Sequence, residues 1–418
     1  MSVREGYKQT EIGVIPEEWE VVQLKNIGTV VTGSTPKTTI KEYYQNGTNL
    51  WVSPSDLGKG KEVKDTSTKL SDLGFEQTRK VPKKSVLVTC IGSTIGKIGI
   101  ASKEMSTNQQ INTLVCDIDN DGDFYYYVLD SKKEYIRNLA GTQAVPLLNK
   151  SDFSAIKVIK PPLPEQRKIA AILSSVDKKI EAIDEQIAKT EKLKKGLMQK
   201  LLRDGIGHTE FKESEIGRIP KEWEVVRLGE IALIKDGTHF SPKSKSGPRK
   251  YVTSKNIKFG HFDDSTISYI SQKEHDEIYK RCPVKKGQLL LTKDGANTGN
   301  ACINPLEEPF SLLSSVALID GKLDKLDNLY LLQWFLSHQG QKNLKGSMAG
   351  QAITRLTLTK ISAHKLPLPS ISEQKQIAKI LSTTDNKLDT LREKKSRYER
   401  LKKGLMQKLL TGEIRTIP

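Results

Sequence analysis

The chain has 418 residues, with 67 Lys and Arg against 50 Asp and Glu, and a formal charge of +17. This length predicts two or three domains, and 36% hydrophobic residues are enough for packed cores, which excludes a disordered or fibrous protein. The apolar runs are too short to cross a bilayer, and the first residues lack the apolar core of a signal peptide. We therefore expect a cytoplasmic protein with no membrane partner, and its positive surplus makes a polyanion the first partner to consider.

The chain contains two copies of one unit. Residues 11–24 (EIGVIPEEWEVVQL) match residues 215–228 (EIGRIPKEWEVVRL), and the decapeptide LKKGLMQKLL occurs unchanged at 193–202 and 401–410. Weaker echoes lie between these matched segments, such as GTQAVPLL from Gly141 and GQAITRLT from Gly350. Such a repeat indicates a duplicated architecture, in which the parts that differ between copies discriminate and the parts that repeat form the scaffold.

Each copy begins with a globular body, the first body in residues 1–160 and the second body in residues 209–366. Short β-rich runs broken by Gly, Pro, Asn and Ser favour an α+β fold for both bodies. The expected strands are 85–89, 112–116, 288–292 and 315–319, and the expected helices are 123–139 and 326–340.

Each body is followed by a tail, residues 161–208 and 367–418, whose pattern is typical of one long helix. Apolar residues recur at steps of three and four, as in the seam of a coiled coil. The seam positions are Leu173, Val176, Ile180, Ile183 and Ile187 in the first tail, and Leu381, Thr384, Leu388, Leu391, Lys395 and Tyr398 in the second.

The two tail helices are expected to pair with each other. Pro164 and Pro369 stand where a proline can start a helix, and Gly205 and Gly412 stand where a glycine can end one. About forty residues make a rod of roughly 60 Å whose apolar stripe needs a partner. Antiparallel pairing would relate the two bodies by a pseudo-twofold axis.

No catalytic or metal-binding pattern is present in the sequence. The six histidines and four cysteines are scattered without metal spacing, so disulfides and zinc are not expected. The segment GSTIGKI from Gly92 has three residues between its glycines where a phosphate loop needs four, and a tight turn between strands is the better interpretation. Trp19 and Trp223, which occupy the same repeat position, are assigned to core packing.

Features typical of nucleic-acid binding are stronger. Residues 235–258 contain seven Lys or Arg against Asp236, interleaved with Ser, Thr, Asn and His. Basic side chains neutralise phosphates, and amides and hydroxyls can contact base edges. The run Asn108, Gln109 and Gln110 could bind adenine through its amides, or could instead hydrogen-bond a loop backbone.

The IGxIPxxWxxxxL openings, the PLPEQRKIAAIL and ISEQKQIAKIL helix starts and the GLMQKLL tails resemble the specificity subunit of type I restriction-modification enzymes. The resemblance covers nearly the whole chain. It implies an α+β chain with two α/β target-recognition domains and two long antiparallel coiled-coil helices. Each domain would read one half of a bipartite double-stranded DNA sequence, while the helices set the spacer and dock two methyltransferase subunits.

The resemblance also implies a division of labour among subunits. This chain would be non-catalytic and would bind no cofactor, while S-adenosylmethionine, ATP and Mg would belong to the methyltransferase subunits and to separate motor and nuclease subunits. Two alternatives remain open: the specificity subunit of a related system with a fused methyltransferase–nuclease partner, and a coiled-coil scaffold whose bodies bind protein.

Loops that resemble the family's by position supply the candidate DNA contacts. The first candidates are residues 32–38 and 235–243, followed by 53–56 with 253–256 and 93–97 with 293–300. The Asn-Gln-Gln run has no clear counterpart in the second copy, which predicts unequal half-sites. The candidate residues are Thr32, Ser34, Thr35, Lys37, Ser53, Ser55, Asp56, Lys97, Gln109 and Gln110 in the first body, and Lys235, Thr238, His239, Lys243, Lys255, Asn256, Lys293 and Asn297 in the second.

Overall fold

A computed structural model describes residues 4–141, 145–244, 246–322, 324–348 and 355–416. The chain divides into two compact units. The first unit comprises residues 1–186 and 392–418, and the second unit comprises residues 187–391. Each unit therefore holds one body, the start of one tail helix and the end of the other.

The first unit contains the first body and its helices. Its strands are β1 (Tyr7–Thr10), β2 (Gly13–Pro16), β3 (Glu20–Gln23), β4 (Gly28–Thr32), β5 (Asn49–Val52), β6 (Glu62–Val63), β7 (Thr68–Leu70), β8 (Lys80–Val81), β9 (Val86–Thr89), β10 (Ile98–Ala101), β11 (Met105–Thr107), β12 (Ile111–Cys116) and β13 (Lys157–Lys160). Its helices are α1 (Asp72–Glu76), α2 (Gly122–Ser131), α3 (Lys133–Leu139), α4 (Lys150–Ser154) and the start of α5 (Leu163–Asp204).

Two sheets and one aromatic helix build the core of the first body. The larger sheet has the order β4-β12-β9-β10-β6 and the smaller one β7-β5-β11-β8. Helix α2 begins at the cap Asp121, whose side chain accepts from the backbone N–H of Phe124, and it packs Phe124, Tyr125 and Tyr127 against the larger sheet. Burial of such large side chains supplies much of the stability of a core.

The second unit repeats this plan. Its strands are β14 (Phe211–Lys212), β15 (Ile219–Pro220), β16 (Glu224–Arg227), β17 (Ala232–Asp236), β18 (Arg249–Val252), β19 (Ser268–Ile270), β20 (Leu289–Thr292), β21 (Ala301–Ile303), β22 (Ser311–Leu312), β23 (Val316–Gly321) and β24 (Lys365–Leu368). Its helices are α6 (Leu228–Ile231), α7 (Gln272–Arg281), α8 (Asn328–Leu336), α9 (His338–Gly346), α10 (Leu358–Ser362) and the start of α11 (Ile371–Leu409).

The sheets of the second body have the orders β17-β23-β20-β21 and β19-β18-β22. Helix α8 packs Tyr330, Leu331 and Phe335 into the core at the place that α2 takes in the first body. The mixed α/β bodies and the four strands expected from sequence are confirmed, with shifts of one or two residues at their ends.

The expected helices 123–139 and 326–340 each consist of two helices, which corrects the sequence-based expectation. The break in the second body falls at Ser337, whose hydroxyl accepts from the backbone N–H of Gly340 and so caps the start of α9. A residue that caps a new helix has non-helical backbone angles, so the preceding helix ends there. The spacing of apolar residues alone does not predict such a break.

The two long helices are present and carry the expected buried seam. In the first unit Leu173, Val176 and Ile183 of α5 are buried, and in the second unit Leu381 and Leu388 of α11 are buried. Within each unit the two helices run antiparallel. Asp177 and Asp184 of α5 pair with Lys402 and Lys395 of α11 in the first unit, and Lys194 pairs with Asp385 in the second.

Both repeated tryptophans are buried, as predicted, and each also donates a hydrogen bond to a glutamate at the start of a long helix. The indole of Trp19 donates to Glu165 at 2.9 Å, and that of Trp223 donates to Glu373 at 3.0 Å. A buried carboxylate is costly unless it is paired, and each unit supplies a different partner. Arg415 contacts Glu165 at 2.9 Å, and His208 contacts Glu373 at 3.0 Å.

The glycines inside the repeated decapeptide make no close approach. A Cβ placed on Gly196 or Gly404 would meet nothing within 4 Å. Tight helix packing therefore does not explain these two glycines.

Among the described residues, no helix combines the length and apolarity that crossing a membrane requires.

Candidate nucleic-acid interface

In the first body, the loop of residues 33–38 follows strand β4 and lies against the end of β11. A Cβ on Gly33 would stand 2.1 Å from the carbonyl oxygen of Asn108, so this close approach requires glycine. The backbone N–H of Ser34 donates to the carbonyl of Thr107 at 2.8 Å. Two candidate loops that lie more than seventy residues apart in the sequence are thus brought together.

Side chains from two further segments hold the loop at 33–38. The guanidinium of Arg79 donates to the carbonyl oxygen of Thr32 at 2.8 Å, and its backbone N–H donates to the hydroxyl of Ser34 at 3.0 Å. The indole of Trp51 donates to the carbonyl oxygen of Ser34 at 3.0 Å. The Ser34 hydroxyl therefore has an internal acceptor role.

The exposed groups of this cluster are Thr35, Lys37, Gln109 and Arg79. The hydroxyl of Thr35 donates to the side-chain oxygen of Gln109, which joins the two loops at their tips. A hydroxyl, an amide, an ammonium and a guanidinium at one exposed place match the donor and acceptor set that DNA grooves and phosphates require.

The two interpretations of the Asn-Gln-Gln run divide between its members. Asn108 is buried and organises its own loop, because its carbonyl oxygen Oδ1 accepts from the backbone N–H of Gln110 and its Nδ2 donates to the Gln110 side chain, both at 3.0 Å. Gln109 is exposed and Gln110 is half-buried. Of the three, Gln109 presents its amide outward.

Asp56 anchors the loop at 53–56. Its carboxylate is 7% exposed and accepts four hydrogen bonds, from the backbone N–H and hydroxyl of Ser53 and of Ser67, between 2.6 and 3.0 Å. Burial raises the pKa of Asp56, but these bonds outweigh burial and hold it below its ordinary value. The carboxylate is thus occupied within the loop, which leaves Ser55 as its exposed polar group.

The glycine-rich segment from Gly92 is a tight turn between β9 and β10, as interpreted from sequence. Gly92 and Gly96 have φ values of +90° and +83°, which glycine adopts readily. Lys97 follows the turn, is half-buried, and lies within van der Waals reach of Gly58.

The second body forms the corresponding loop after β17. A Cβ on Gly237 would stand 1.9 Å from the carbonyl oxygen of Leu312, and the backbone N–H of Thr238 donates to that oxygen at 2.8 Å. Thr238 is 3% exposed, whereas His239 and Lys243 are exposed and Lys235 is half-buried on the strand. Of the candidate contacts in this loop, His239 and Lys243 are therefore the accessible ones.

Glu274 of α7 holds the far end of the same loop. Its carboxylate accepts from the hydroxyls of Ser244 and Ser271 and from the backbone N–H of Lys243. The hydrogen bond from Ser244 is the main cause that lowers the pKa of Glu274 to about 2. The carboxylate stays charged at neutral pH and leaves the Lys243 ammonium exposed.

Asn256 belongs to a local capping arrangement rather than to the exposed surface. It is 1% exposed, its Oδ1 accepts from the backbone N–H of Thr253, and its Nδ2 donates to the carbonyl oxygen of Asp263 at 3.0 Å. Lys255 beside it is exposed. Of the basic run 235–258, Lys245 lies outside the described residues.

Lys293 is 2% exposed, and its ammonium lies 3.5 Å from Asp236 and 3.3 Å from Asp294. Arg281 contacts the other oxygen of Asp236 at 3.2 Å, and Arg355 contacts Asp294 at 3.1 Å. These five residues form one charged chain, whose two ends, Arg281 and Arg355, are more than half exposed. Lys293 was a candidate DNA contact by sequence, but its ammonium is buried and contacts two carboxylates of the protein. Asn297, in the turn that follows, is exposed.

The backbone contacts of the two bodies are equivalent at this place. Asn108 donates to Val52 at 2.9 Å and Leu313 donates to Val252 at 3.0 Å. Two residues further on, the carbonyl oxygens of Gln110 and Ser315 accept at 2.8 Å from the backbone N–H of Cys90 and Lys293. The Asn-Gln-Gln run therefore has a counterpart after all, Leu313-Ser314-Ser315, whose side chains differ too much for sequence comparison to find it.

Three arginines, Arg79, Arg281 and Arg355, were not among the candidate contacts predicted from sequence. Arg79 lies just after helix α1 and Arg281 is the last residue of helix α7. The caps of these helices, Ser71 and Ser271, match, and both arginines contact the residue that precedes the close-packed glycine. The matched serine caps are the signal that could have aligned them.

Within the described residues, no cluster of three or more His, Cys, Asp or Glu could hold a metal.

Comparison with known proteins places this arrangement in a family. The family described as type I restriction modification DNA specificity domain matches residues 16–192 and 220–400. The chain is 30% identical to the type I restriction enzyme MjaVIII specificity subunit of Methanocaldococcus jannaschii, over 98% of this chain and 96% of that protein. It is 32% identical to the putative type I restriction enzyme MjaX specificity subunit of the same organism, over 98% and 97%.

A solved structure supports the fold. The S subunit of a type I restriction-modification system from M. genitalium matches with a TM-score of 0.65 at 18% identity, over 98% of each chain. The fold and the loop cluster define a protein with two tandem recognition domains. The chain belongs to the type I restriction modification DNA specificity domain family and carries that domain twice.

Proposed function

We propose that this chain is the DNA-reading subunit of a type I restriction-modification complex, with residues 1–160 and 209–366 as its two target-recognition domains. Each domain reads one half of a bipartite target in double-stranded DNA. The observation that carries the proposal is that both bodies hold the same loops with the same backbone hydrogen bonds but present different side chains there. A shared frame with different contact groups suits two readers of unlike sequences, so the target is asymmetric.

The two long helices, residues 161–208 and 367–418 in our division, set the spacer between the half-sites and dock two methyltransferase subunits. Their repeated sequence supports this role, because two copies of one partner need two similar surfaces. The methyltransferase subunits bind S-adenosylmethionine, and motor and nuclease subunits use ATP and Mg. This chain contributes recognition rather than catalysis, in the cytoplasm where the DNA lies. Its relatives are named specificity subunits of type I enzymes, which favours this role over a protein-binding scaffold or a fused partner.

Exchange of one body tests the proposal. Residues 209–366 are replaced by the second body of a relative, the complete system is expressed, and the methylated sequence is mapped by single-molecule sequencing. We expect one half of the target to change and the other to stay. The reciprocal exchange of residues 1–160 is the matched control and changes the other half.

Two results would contradict the proposal. A change in both halves would exclude independent readers. Binding of the assembled complex to random duplex that does not weaken as salt rises would exclude a phosphate-contacting interface, because release of condensed counterions makes such binding steeply salt-dependent.

A further inference from the structure

Three residues of the charged chain in the second body, Lys293, Asp294 and Arg355, occupy positions that are neutral in the first. Lys293 corresponds to Cys90 through the shared backbone hydrogen bonds. Asp294 and Arg355 form an isolated antiparallel bridge at the place where Ile91 and Leu147 form one in the first body. Three charged residues thus replace a thiol and two apolar side chains, while Arg281 keeps the place of Arg79.

These residues fall into two groups: those that both bodies share and those that only the second body has. Both bodies have an arginine at this place, Arg79 in the first and Arg281 in the second. It therefore serves something common to both, the contact with the residue before the close-packed glycine. Asp294 and Arg355 occur in the second body alone, near the counterpart of Gln109 and Gln110; Asp294 is half-buried and Arg355 is exposed. They belong to the part that discriminates.

The contacts around Arg355 hold its guanidinium in a fixed position. Lys293 and Asp236 are 2% and 5% exposed, and a buried pair of charges is a poor source of stability because desolvation cancels most of its attraction. Its effect here is to fix Asp294, which is bound by the Lys293 ammonium on one side. Asp294 in turn contacts the Nε of Arg355 at 3.1 Å, while 55% of the Arg355 side chain remains exposed.

We propose that Arg355 is a specificity-determining residue that reads a guanine in the half-site of the second body, with Asp294 as the residue that positions it. This inference rests on the proposed function. A planar guanidinium held at Nε keeps its terminal amino groups directed outward, and an arginine fork matches the O6 and N7 acceptors of guanine in the major groove. The first body presents Leu147 at this position, which offers no donor to guanine.

The test uses the complete complex with its partner subunits. The target is first mapped by methylome sequencing, and body exchange identifies the half read by the second body. Methylation is then measured on duplexes in which each G·C pair of that half is replaced in turn. Arg355→Leu, which installs the residue of the first body, is expected to remove a discrimination of tenfold or more at one G·C pair and to leave the other half-site unchanged.

Two further variants keep the test sharp. Arg355→Lys retains the charge but loses the fork, so it too is expected to lose discrimination at that pair. Lys286→Leu removes a positive charge at the opposite end of β20, where Lys286 pairs with Glu307, and it should leave the target unchanged. Arg355 is exposed, so these variants are expected to assemble.

The outcomes distinguish the inference from the function on which it rests. A second half-site without any G·C pair, or an unchanged target in Arg355→Leu, overturns the role of Arg355 alone. Uniform weakening on all sequences with a smaller salt dependence would make Arg355 a phosphate contact and also overturns it. A wild-type complex that methylates no defined sequence would overturn both.

Discussion

The carboxylate of Asp177 and the ammonium of Lys402 lie 2.7 Å apart in the first unit, joining the start of α5 to the end of α11. The hydroxyl of Tyr127, on the core helix α2, donates to the same carboxylate at 2.6 Å. The second unit repeats this arrangement with the counterparts Lys194 and Asp385, and Gln333 of α8 donates to Asp385 at 3.1 Å. The body is thereby connected to both long helices at one point.

The Asp177–Lys402 pair is expected to stabilise the first unit more than an exposed pair does. Its side chains are 12% and 19% exposed, so solvent screens them weakly. We expect a double-mutant cycle with Asp177→Asn and Lys402→Met to give a coupling of about 1–2 kcal/mol in chemical unfolding. The more exposed pair Asp184–Lys395, treated with the same substitutions, is the control and should give less than about 1 kcal/mol. Equal couplings would contradict this ranking.

Glu165 is expected to anchor the segment around Arg415. Its side chain is fully buried; burial raises its pKa, but the hydrogen bonds from Arg415 and Trp19 outweigh burial and hold the pKa below its ordinary value. Glu165→Gln should cost the first unit about 2–4 kcal/mol and speed hydrogen exchange at residues 412–416. Glu18→Gln removes the exposed second partner of Arg415 and should cost less than about 0.5 kcal/mol.

The lowered pKa of Glu165 also gives the sign of an acid effect. A carboxylate that stays charged in the folded state stabilises it above its unfolded pKa, and this contribution disappears as pH falls through the folded value. The first unit should therefore weaken below about pH 4.5, and the Gln variant should lose part of that dependence. An acid transition that is identical in the variant would count against Glu165 as its source.

His364 predicts an earlier acid effect in the second unit. Burial lowers its pKa to about 4, and its neutral Nε2 accepts a hydrogen bond from the indole of Trp334 at 3.1 Å. Unfolding releases the side chain to its ordinary pKa near 6.5, so the unfolded state takes up a proton between about pH 6.5 and 4. Stability should be full above that window and fall by about 2–3 kcal/mol across it, as followed by urea unfolding at each pH.

A matched variant separates His364 from other titrating groups. His364→Ile with Trp334→Val installs the residues that stand at the equivalent positions in the first body, Ile156 and Val128. This double variant leaves no unpaired indole N–H and should lose the pH dependence between 6.5 and 4. Persistence of the full dependence would show that another group causes it.

Helix length is expected to control the spacer of the DNA target. Seven residues inserted into both α5 and α11 lengthen each by about 10 Å, close to the rise of three base pairs. Insertion between residues 186 and 187 in α5 and between 391 and 392 in α11 keeps the buried seam in phase. We expect a methylated sequence with about three more unread base pairs, mapped by sequencing. Insertion in α5 alone is the control and should prevent assembly, and an unchanged spacer in the double insertion would exclude the helices as its determinant.

The long helices were predictable from sequence because a stripe at steps of three and four leaves few alternatives, and the prolines and glycines mark their ends. The breaks within the shorter helices were not predictable. Ser337 ends α8 because it caps α9, and this role depends on the local backbone conformation. Trp19 was correctly placed in the core, but its bond to Glu165 joins residues 146 positions apart, and no local pattern encodes that distance.

The candidate interface was predictable as a set of loops and less so residue by residue. Thr35, Lys37, Gln109, His239 and Lys243 lie exposed where sequence placed them. Asp56, Asn256 and Lys293 have polar groups of a kind that contacts DNA, but these groups bind partners inside the protein. Those partners come near only when the chain folds. Arg355 was not a candidate because the contact that singles it out, with Asp294, joins residues 61 positions apart.

The residues that make up each unit determine which unit can finish folding first during synthesis. The first unit needs residues 392–418 as well as residues 1–186, whereas the second unit is made of the continuous stretch 187–391. The first unit therefore stays incomplete until the end of α11 emerges, because part of the apolar stripe of α5 is uncovered and Glu165 lacks its arginine. The later-made unit can finish folding before the earlier one, so a chain interrupted between residues 391 and 416 would carry one complete unit and one incomplete unit.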